Sequence, residues 1–418
     1  MGFTRTCIAL VALASAVEAL SARADDGLRL EEYVEAVLRS HPAAAAARSL
    51  DDVAAAESRA ARLLPDPTLE LTLGRGRPSD GSAPEKTETG FAVSQVVPWL
   101  PARSAAVEAA DHGAAALRAD ATAARQGLAL DARLAYLGLV KARALEEVAR
   151  AAEADARSLL DLVARRAALG ESREVDRIRS RVEWLRQERE LRAAGREAEA
   201  AERVLRTLAA EPLPEPLRLA GALPLSGDAA AALASATPER LASSPALLRA
   251  EAEAARAAAL ASSARRGRVP ELGFSFFRQK ELDRDAWGGA LDVSLPLWNA
   301  RRGDVARAEA DARLKSSGAA AARLSLLAGL EARRRDAETL AGQVASLETD
   351  LLPAAAESLR LARLLFEEGE TSLLDLLDAQ RTAREARREE ILARHSLAAS
   401  LAELARLLGP DAPTGENR

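Results

Sequence analysis

The chain lacks most of what compact enzymes and secreted scaffolds are built from. One of its 418 residues is cysteine, Cys7, and 3% are aromatic. A lone cysteine excludes a disulfide framework and a thiolate metal site within the chain. Past residue 24 no stretch of about 18 uncharged apolar residues occurs, so the mature chain encodes no membrane-spanning helix. Charge of one sign is missing as well. The 58 Lys and Arg and 63 Asp and Glu are interspersed and sum to a net charge of -5, which argues against a nucleic-acid surface or an acidic tail. The three histidines, His41, His112 and His395, have no partner at ligand spacing, so they suit surface or packing roles rather than a metal site. No Ser/His/Asp order, nucleophile elbow, phosphate loop or dinucleotide fingerprint is found, and neither catalysis nor a cofactor is expected. Proline is absent from Ala102 to Glu211.

The first residues carry Arg5, an apolar run from Ile8 to Leu20 broken by Glu18, and Ala22-Arg23-Ala24, a small-x-small cleavage pattern. Residues 1–24 therefore read as an export signal peptide. Cleavage there would remove Cys7, and Thr4-Arg5-Thr6 before it does not match a lipoprotein cleavage box.

The rest of the chain reads as two copies of one plan. Pro42 pairs with Pro245 and Pro67 with Pro270, both at an offset of 203. "LGESREVD" around Gly170 pairs with "EGETSLLD" around Gly369, at an offset of 199. Each copy reads as helix, two strands, long helix, Gly break, helix. The first repeat spans 25–210, with helices at 30–63, 103–169 and 172–210 and strands at about 67–77 and 87–99. A Pro-rich linker follows at 211–235. The second repeat spans 236–408, with helices at 236–266, 300–367 and 372–408 and strands at about 270–280 and 286–298, and residues 409–418 form a flexible tail. The 103–169 helix would run roughly 100 Å at about 1.5 Å per residue, a rod no compact domain needs. Leu145, Val148, Ala152, Leu159, Leu162 and Leu169 give it a narrow apolar stripe, and Glu188-Arg192, Glu199-Arg203 and Glu202-Arg206 give its neighbour i,i+4 pairs. Pro353 interrupts the equivalent rod of the second repeat and is expected to kink it.

The strands rest on period two. Leu69, Leu71 and Leu73 alternate with Thr68, Glu70 and Thr72, and Leu291, Val293, Leu295 and Leu297 alternate with Asp292, Ser294 and Pro296. Seven of the twelve aromatics, Phe91, Trp99, Phe274, Phe276, Phe277, Trp287 and Trp298, crowd into these segments. That is the distribution of a sheet facing lipid between aromatic girdles. Four strands cannot close alone, while a sheet in a bilayer must close and the smallest such barrels have about eight strands, so the barrel must be shared between subunits. The competing reading is a pair of amphipathic hairpins packed on a helical core.

"LRLEEYVEAVLRSHPAAAAA", "RLLPDPTLEL", "VSLPLWNARRGDVARAEAD" and "FEEGETSLLDLLDAQRTAREA", in this order, resemble the TolC family of outer-membrane efflux proteins over about Leu28 to Leu408. "VSQVVPWLPARSAAVEAA" is similar to the branch serving heavy-metal export. The resemblance implies a mainly α fold with a small β part. Long antiparallel coiled-coil helices would form an α-barrel in the periplasm, and four strands per subunit would enter a twelve-stranded transmembrane β-barrel. It implies a homotrimer in outer-membrane lipid, partnered by a periplasmic membrane-fusion adaptor and an inner-membrane RND-type pump. The linker and the tail would form an irregular belt around the helices. The implied function is a passive duct from periplasm to exterior, with metal ions favoured over drugs as cargo. A periplasmic coiled-coil adaptor or scaffold is the alternative.

The resemblance also implies site residues. The acids that narrow the family's periplasmic entrance match Asp375 and Asp378, the first repeat's acid falls on Asp176, and the aromatic before the second Gly break falls on Phe366. Asp375 and Asp378, three apart, share a helix face, so a trimer would stack two rings of carboxylates whose mutual repulsion raises some of their pKa values. Asp375 also sits where a plain N-terminal cap with Ser372 would place it, and Phe366 can equally fill a packed seam. Gly170 and Gly369 read as C-cap glycines at helix-tip turns where an adaptor would dock.

Overall fold

A computed structural model describes residues 27–76, 84, 86–281, 284–294 and 301–409. The signal segment 1–24, Leu295, Leu297, Trp298 and the tail beyond Gly409 lie outside them. The helices are α1 (Leu30–Ser40), α2 (Pro42–Ala60), α3 (Leu100–Ala168), α4 (Glu174–Ala209), α5 (Ala229–Ser235), α6 (Pro245–Arg266), α7 (Arg302–Ser346), α8 (Leu352–Glu368) and α9 (Leu373–Leu408). The strands are β1 (Leu28–Arg29), β2 (Thr68–Gly76), β3 (Lys86–Val97), β4 (Leu219–Ala220), β5 (Glu271–Glu281) and β6 (Arg284–Ser294). The fold is mainly helical with one substantial sheet, as the repeat pattern and the resemblance imply. No helix among the described residues is long and apolar enough to cross a membrane.

Prolines set several boundaries differently from the sequence reading. The expected helix 30–63 is two helices, because the residue before a proline avoids the α region and proline fits a first helical turn. His41 is extended (φ -69°, ψ 137°) and Pro42 opens α2. The expected helix 236–266 divides in the same way. Pro238–Ser243 form a 3₁₀ turn, Ser244 is extended, and Pro245 opens α6. Pro353 acts through a π turn at Leu347–Leu351, where the Leu352 N–H reaches back to the Leu347 carbonyl. A proline ring has no N–H and crowds the carbonyl four residues back, and the wider turn accommodates both. The linker at 211–235 is also less irregular than expected, since it contains β4 and α5.

The chain forms two compact units, each drawing on both repeats: Met1–Ala46, Ala124–Ser244 and Leu326–Arg418 in the first, Ala47–Ala123 and Pro245–Ser325 in the second. The second contains an antiparallel sheet in the order β2-β3-β5-β6. Paired residues share a face and successive residues alternate, so the register sorts every side chain. Leu69, Leu71, Leu73, Phe91, Val93, Leu272, Phe274, Phe276, Leu291 and Val293 fall on one face. The Phe91 and Phe276 rings meet there at 6.3 Å. The other face carries Thr68, Glu70, Thr72, Glu88, Ser94, Glu271, Ser275, Gln279, Asp292 and Ser294. The oily face is uncovered within the chain, with Leu69, Leu71 and Leu73 at 64%, 69% and 80% exposure. Burying such leucines is worth about 2 kcal/mol each, a gain this chain leaves unrealised alone.

In the first unit the core gathers Tyr33, Val37, Leu139, Leu205 and Leu217. The Tyr33 hydroxyl donates to the Leu205 carbonyl at 2.9 Å, and burial pushes that phenol above its ordinary pKa. The Tyr136 hydroxyl lies 2.8 Å from the carbonyls of both Leu28 and Ala220, at the parallel pair of β1 and β4. The linker is thereby held to the start of the first repeat. Along α3 the buried residues Ala149, Ala152, Ala156, Leu159 and Val163 keep 3/4 spacing, a narrow Ala-rich seam that admits close helices. Leu169, expected in that stripe, lies beyond the helix end and is exposed. The three ion pairs expected on α4 all form.

Candidate functional site

The first unit contains two helix reversals built alike. α3 ends on Gly170 (φ 80°), where the Glu171 N–H returns to the Arg166 carbonyl at 2.9 Å. α8 ends on Gly369 (φ 81°), where the Glu370 N–H returns to the Leu365 carbonyl at 2.8 Å. A Cβ at either glycine would meet nothing within 4 Å, so the left-handed backbone, not space, calls for glycine.

The helix starts that follow differ. Ser372 caps α9 and Asp375 is its third residue, and the two exchange hydrogen bonds in both directions. Asp375 Oδ2 accepts from the Ser372 hydroxyl at 2.6 Å, the Thr371 hydroxyl at 3.0 Å and the Ser372 N–H at 3.2 Å. These donors, the Ser372 hydroxyl first, hold the Asp375 carboxyl below its ordinary pKa. Contacts inside the chain therefore oppose the upward pull expected from a ring of like charges. Asp378 is exposed one turn further along the same face. At the start of α4 the cap is Arg173, which has no hydroxyl to offer. Instead its guanidinium lies 3.1 Å from Asp176 Oδ2, with Arg179 3.7 Å from Oδ1. Asp176 is 9% exposed and takes these two arginines as partners rather than Asp375 or Asp378.

Phe366 is buried in a cluster with Leu159, Val163, Leu373 and Leu376, which joins α3, α8 and α9. Arg166, unnoticed in the sequence, completes this joint. Its guanidinium stacks 5.4 Å from the Phe366 ring centroid and donates to the carbonyls of Phe366 at 3.3 Å and Glu367 at 3.0 Å. It thus satisfies two carbonyls in the last turn of α8 and places a cation at the negative end of that helix. Basic residues in a last helical turn are common, and nothing local pointed to a partner 200 residues away.

A second charged cluster also escaped the sequence reading. Glu390 of α9 is 1% exposed between Arg387 and Arg394. Arg394 Nη2 lies 2.7 Å from Glu390 Oε1, an ion-pair contact at a poor hydrogen-bonding angle. The same arginine lies 2.9 Å from Glu348 in the π turn, and Glu348 accepts from the Ser226 hydroxyl at 2.9 Å. Among the described residues no group of three or more His, Cys, Asp and Glu is placed to hold a metal ion.

Residues 237–410 match the sequence family described as "Outer membrane efflux protein". Over these residues the chain is similar to that family. It is similar to the cobalt-zinc-cadmium resistance protein CzcC of Cupriavidus metallidurans, with 26% identity over 347 residues, covering 82% of this chain and 80% of that protein. Its fold matches solved structures of CusC (TM-score 0.78, 17% identity, 91% of this chain and 92% of that one). It likewise matches the open state of the MtrE outer membrane channel of Neisseria gonorrhoeae (TM-score 0.75, 22% identity, 91% and 89%).

Proposed function

We propose that this chain is an outer membrane efflux protein that works as a homotrimer, a passive duct in which three copies of the β2-β3-β5-β6 sheet close one twelve-stranded barrel through the outer membrane. The observation that carries this is the sheet itself, which has an exposed oily face, a polar opposite face and two outer strands, β2 and β6, each paired on one side only in the described chain. An oily face is unfavourable in water and an open strand edge is unfavourable in lipid, and closure in a bilayer removes both. A periplasmic adaptor and an inner-membrane RND-type pump complete the system and supply its energy, and the duct itself catalyses nothing. The helix reversals at Gly170 and Gly369 are the docking points for the adaptor. The acids after them, Asp375 and Asp378 with Asp176 behind, line the entrance, and Phe366 sets the packing of the helices that carry them.

Metal ions are the favoured cargo. On the polar face of the sheet the carboxylates Glu70, Glu88, Glu271, Glu281 and Asp292 outnumber the base Arg284 among the described side chains, a surplus of negative charge that attracts cations. The name of the CzcC relative, a cobalt-zinc-cadmium resistance protein, agrees. Sedimentation equilibrium of the detergent-solubilised mature protein tests the assembly. A mass of three chains is expected, and a monomer at all concentrations would end the reading.

A further inference from the structure

The sheet distributes its charges unevenly between faces. Carboxylates collect on the polar face, whereas bases collect on the oily face and only toward its hairpin end. Strands β2 and β5 are entered from α2 and α6 and strands β3 and β6 lead on toward α3 and α7, so all four meet helices at one end. The last printed pairs of β2 with β3, Gly76 with Lys86, and of β5 with β6, Glu281 with Arg284, lie at the other, the hairpin end. Toward that end the apolar rows stop, and Arg75, Arg278, Lys280, Asp285 and Trp287 take over on the same face as Leu73 and Phe276. Arg278 is committed to Asp285 at 2.8 Å. Arg75 and Lys280 are then the surplus, two positive charges per chain (3 − 1). Trp287 is 76% exposed beside them, an amphipathic ring of the kind that settles at headgroup level.

A base pointing into hydrocarbon is costly, but one at headgroup depth reaches phosphate. We propose that the hairpin end of the oily face is a docking surface for anionic, phosphate-bearing lipid headgroups of the outer leaflet, with Arg75 and Lys280 as the charged contacts and Trp287 marking the depth. Charge complementarity selects this occupant. The acyl chains cover Leu71, Leu73, Phe274 and Phe276 while the bases above take the phosphate. The oily band alone would accept any lipid, and the bases make the choice. The proposal rests on the reading of the sheet as bilayer-embedded.

The test uses the full mature chain with Trp99, Trp184 and Trp298 replaced by Phe, so that Trp287 alone reports. It is reconstituted into phosphatidylcholine vesicles containing either brominated phosphatidylglycerol or brominated phosphatidylcholine with identical acyl chains. One base near a charged surface is worth about a fivefold preference, so brominated phosphatidylglycerol is expected to compete for the site about fivefold or more better than phosphatidylcholine. The preference should fall to near unity in Arg75→Gln with Lys280→Gln, persist in Arg284→Gln, which removes a base from the polar face, and resist added inorganic phosphate. Lys280→Gln alone, expected to lose part of the preference, serves if the double variant does not reconstitute. Equal quenching by both lipids, or a preference indifferent to Arg75 and Lys280, overturns the proposal and leaves the membrane reading standing. No quenching by either lipid overturns the membrane reading and the proposal with it.

Discussion

Ser40 and Ser243 close the same joint in the two repeats. The Ser40 hydroxyl lies 2.6 Å from the carbonyl of Ala209, the last residue of α4, and the Ser243 hydroxyl lies 2.9 Å from that of Leu408, the last residue of α9, each shared with a carbonyl of its own turn, Ala36 and Arg240, at 2.8 Å. Each serine stands two residues before the proline that opens a helix, and each satisfies a terminal carbonyl that helical bonding leaves without a partner. The duplicated plan therefore extends to single hydrogen bonds between segments more than 160 residues apart.

Ser243→Ala should destabilise the first unit by about 1 kcal/mol, the usual worth of one such bond. Ser40→Ala should behave alike, whereas Ser58→Ala, in the second unit, should leave the first unit's opening unchanged. Hydrogen exchange at the C-terminal turn of α9 reads the loss directly. Protection unchanged in Ser243→Ala would show the bond to be idle.

Arg166→Ala should cost about 2 kcal/mol, since it removes two carbonyl bonds and a stacked cation from the end of α8. Arg166→Lys should recover only part of this, because an ammonium cannot reach two carbonyls and lie flat on the Phe366 ring together. Thermal melts followed by circular dichroism separate the three proteins. A lysine variant equal to wild type would remove the stacking from the account.

The cap at Ser372 has a pH signature. Its donors lower the Asp375 pKa on folding, so the stabilisation is fully present above the unfolded value of 3.8 and is lost as pH falls through the lower folded value. The melting difference between wild type and Asp375→Asn should stay constant from pH 7 to near pH 4 and shrink below that. A difference that grew on acidification would mean that Asp375 titrates upward in the assembled protein, as crowding of three such groups would produce.

Asp375→Ala combined with Asp378→Ala should raise single-channel conductance in planar bilayers and weaken block by divalent cations by about tenfold or more, the order expected when close carboxylates leave a narrow mouth. Current and block both unchanged would place these acids away from the entrance.

Periodicity and repetition made much of this molecule legible. Leu69, Leu71 and Leu73 alternate so regularly that both strand and face followed, and Gly170 and Gly369 announced their reversals because a left-handed residue after a helix is usually glycine, although Ala210 takes that place after α4. Pro353 was legible as a break, whereas Pro42 and Pro245 were legible only as markers of the repeat, inside the expected helices 30–63 and 236–266. Pro42 and Pro245 begin helices instead of sitting inside them, a distinction that depends on the extended residue before each. Arg166 and Glu390 were illegible. A charged residue on a helix looks the same whether it meets water or a partner two hundred residues away, and only the packing of α3, α8 and α9 decides which.

One consequence follows from the unlike caps of α4 and α9. A duplicated subunit repeated three times would give a mouth of near sixfold character if both halves were chemically equal. Arg173 and Arg179 clamp Asp176 with two guanidinium groups, whereas hydroxyls and an N–H engage only Oδ2 of Asp375. Alternate positions around such an opening would then carry one net positive charge each (2 − 1). A cation arriving there would meet three attractive sectors separated by three repelling ones, and any conformational opening would follow the threefold order of the subunits instead of the sixfold order of their helices.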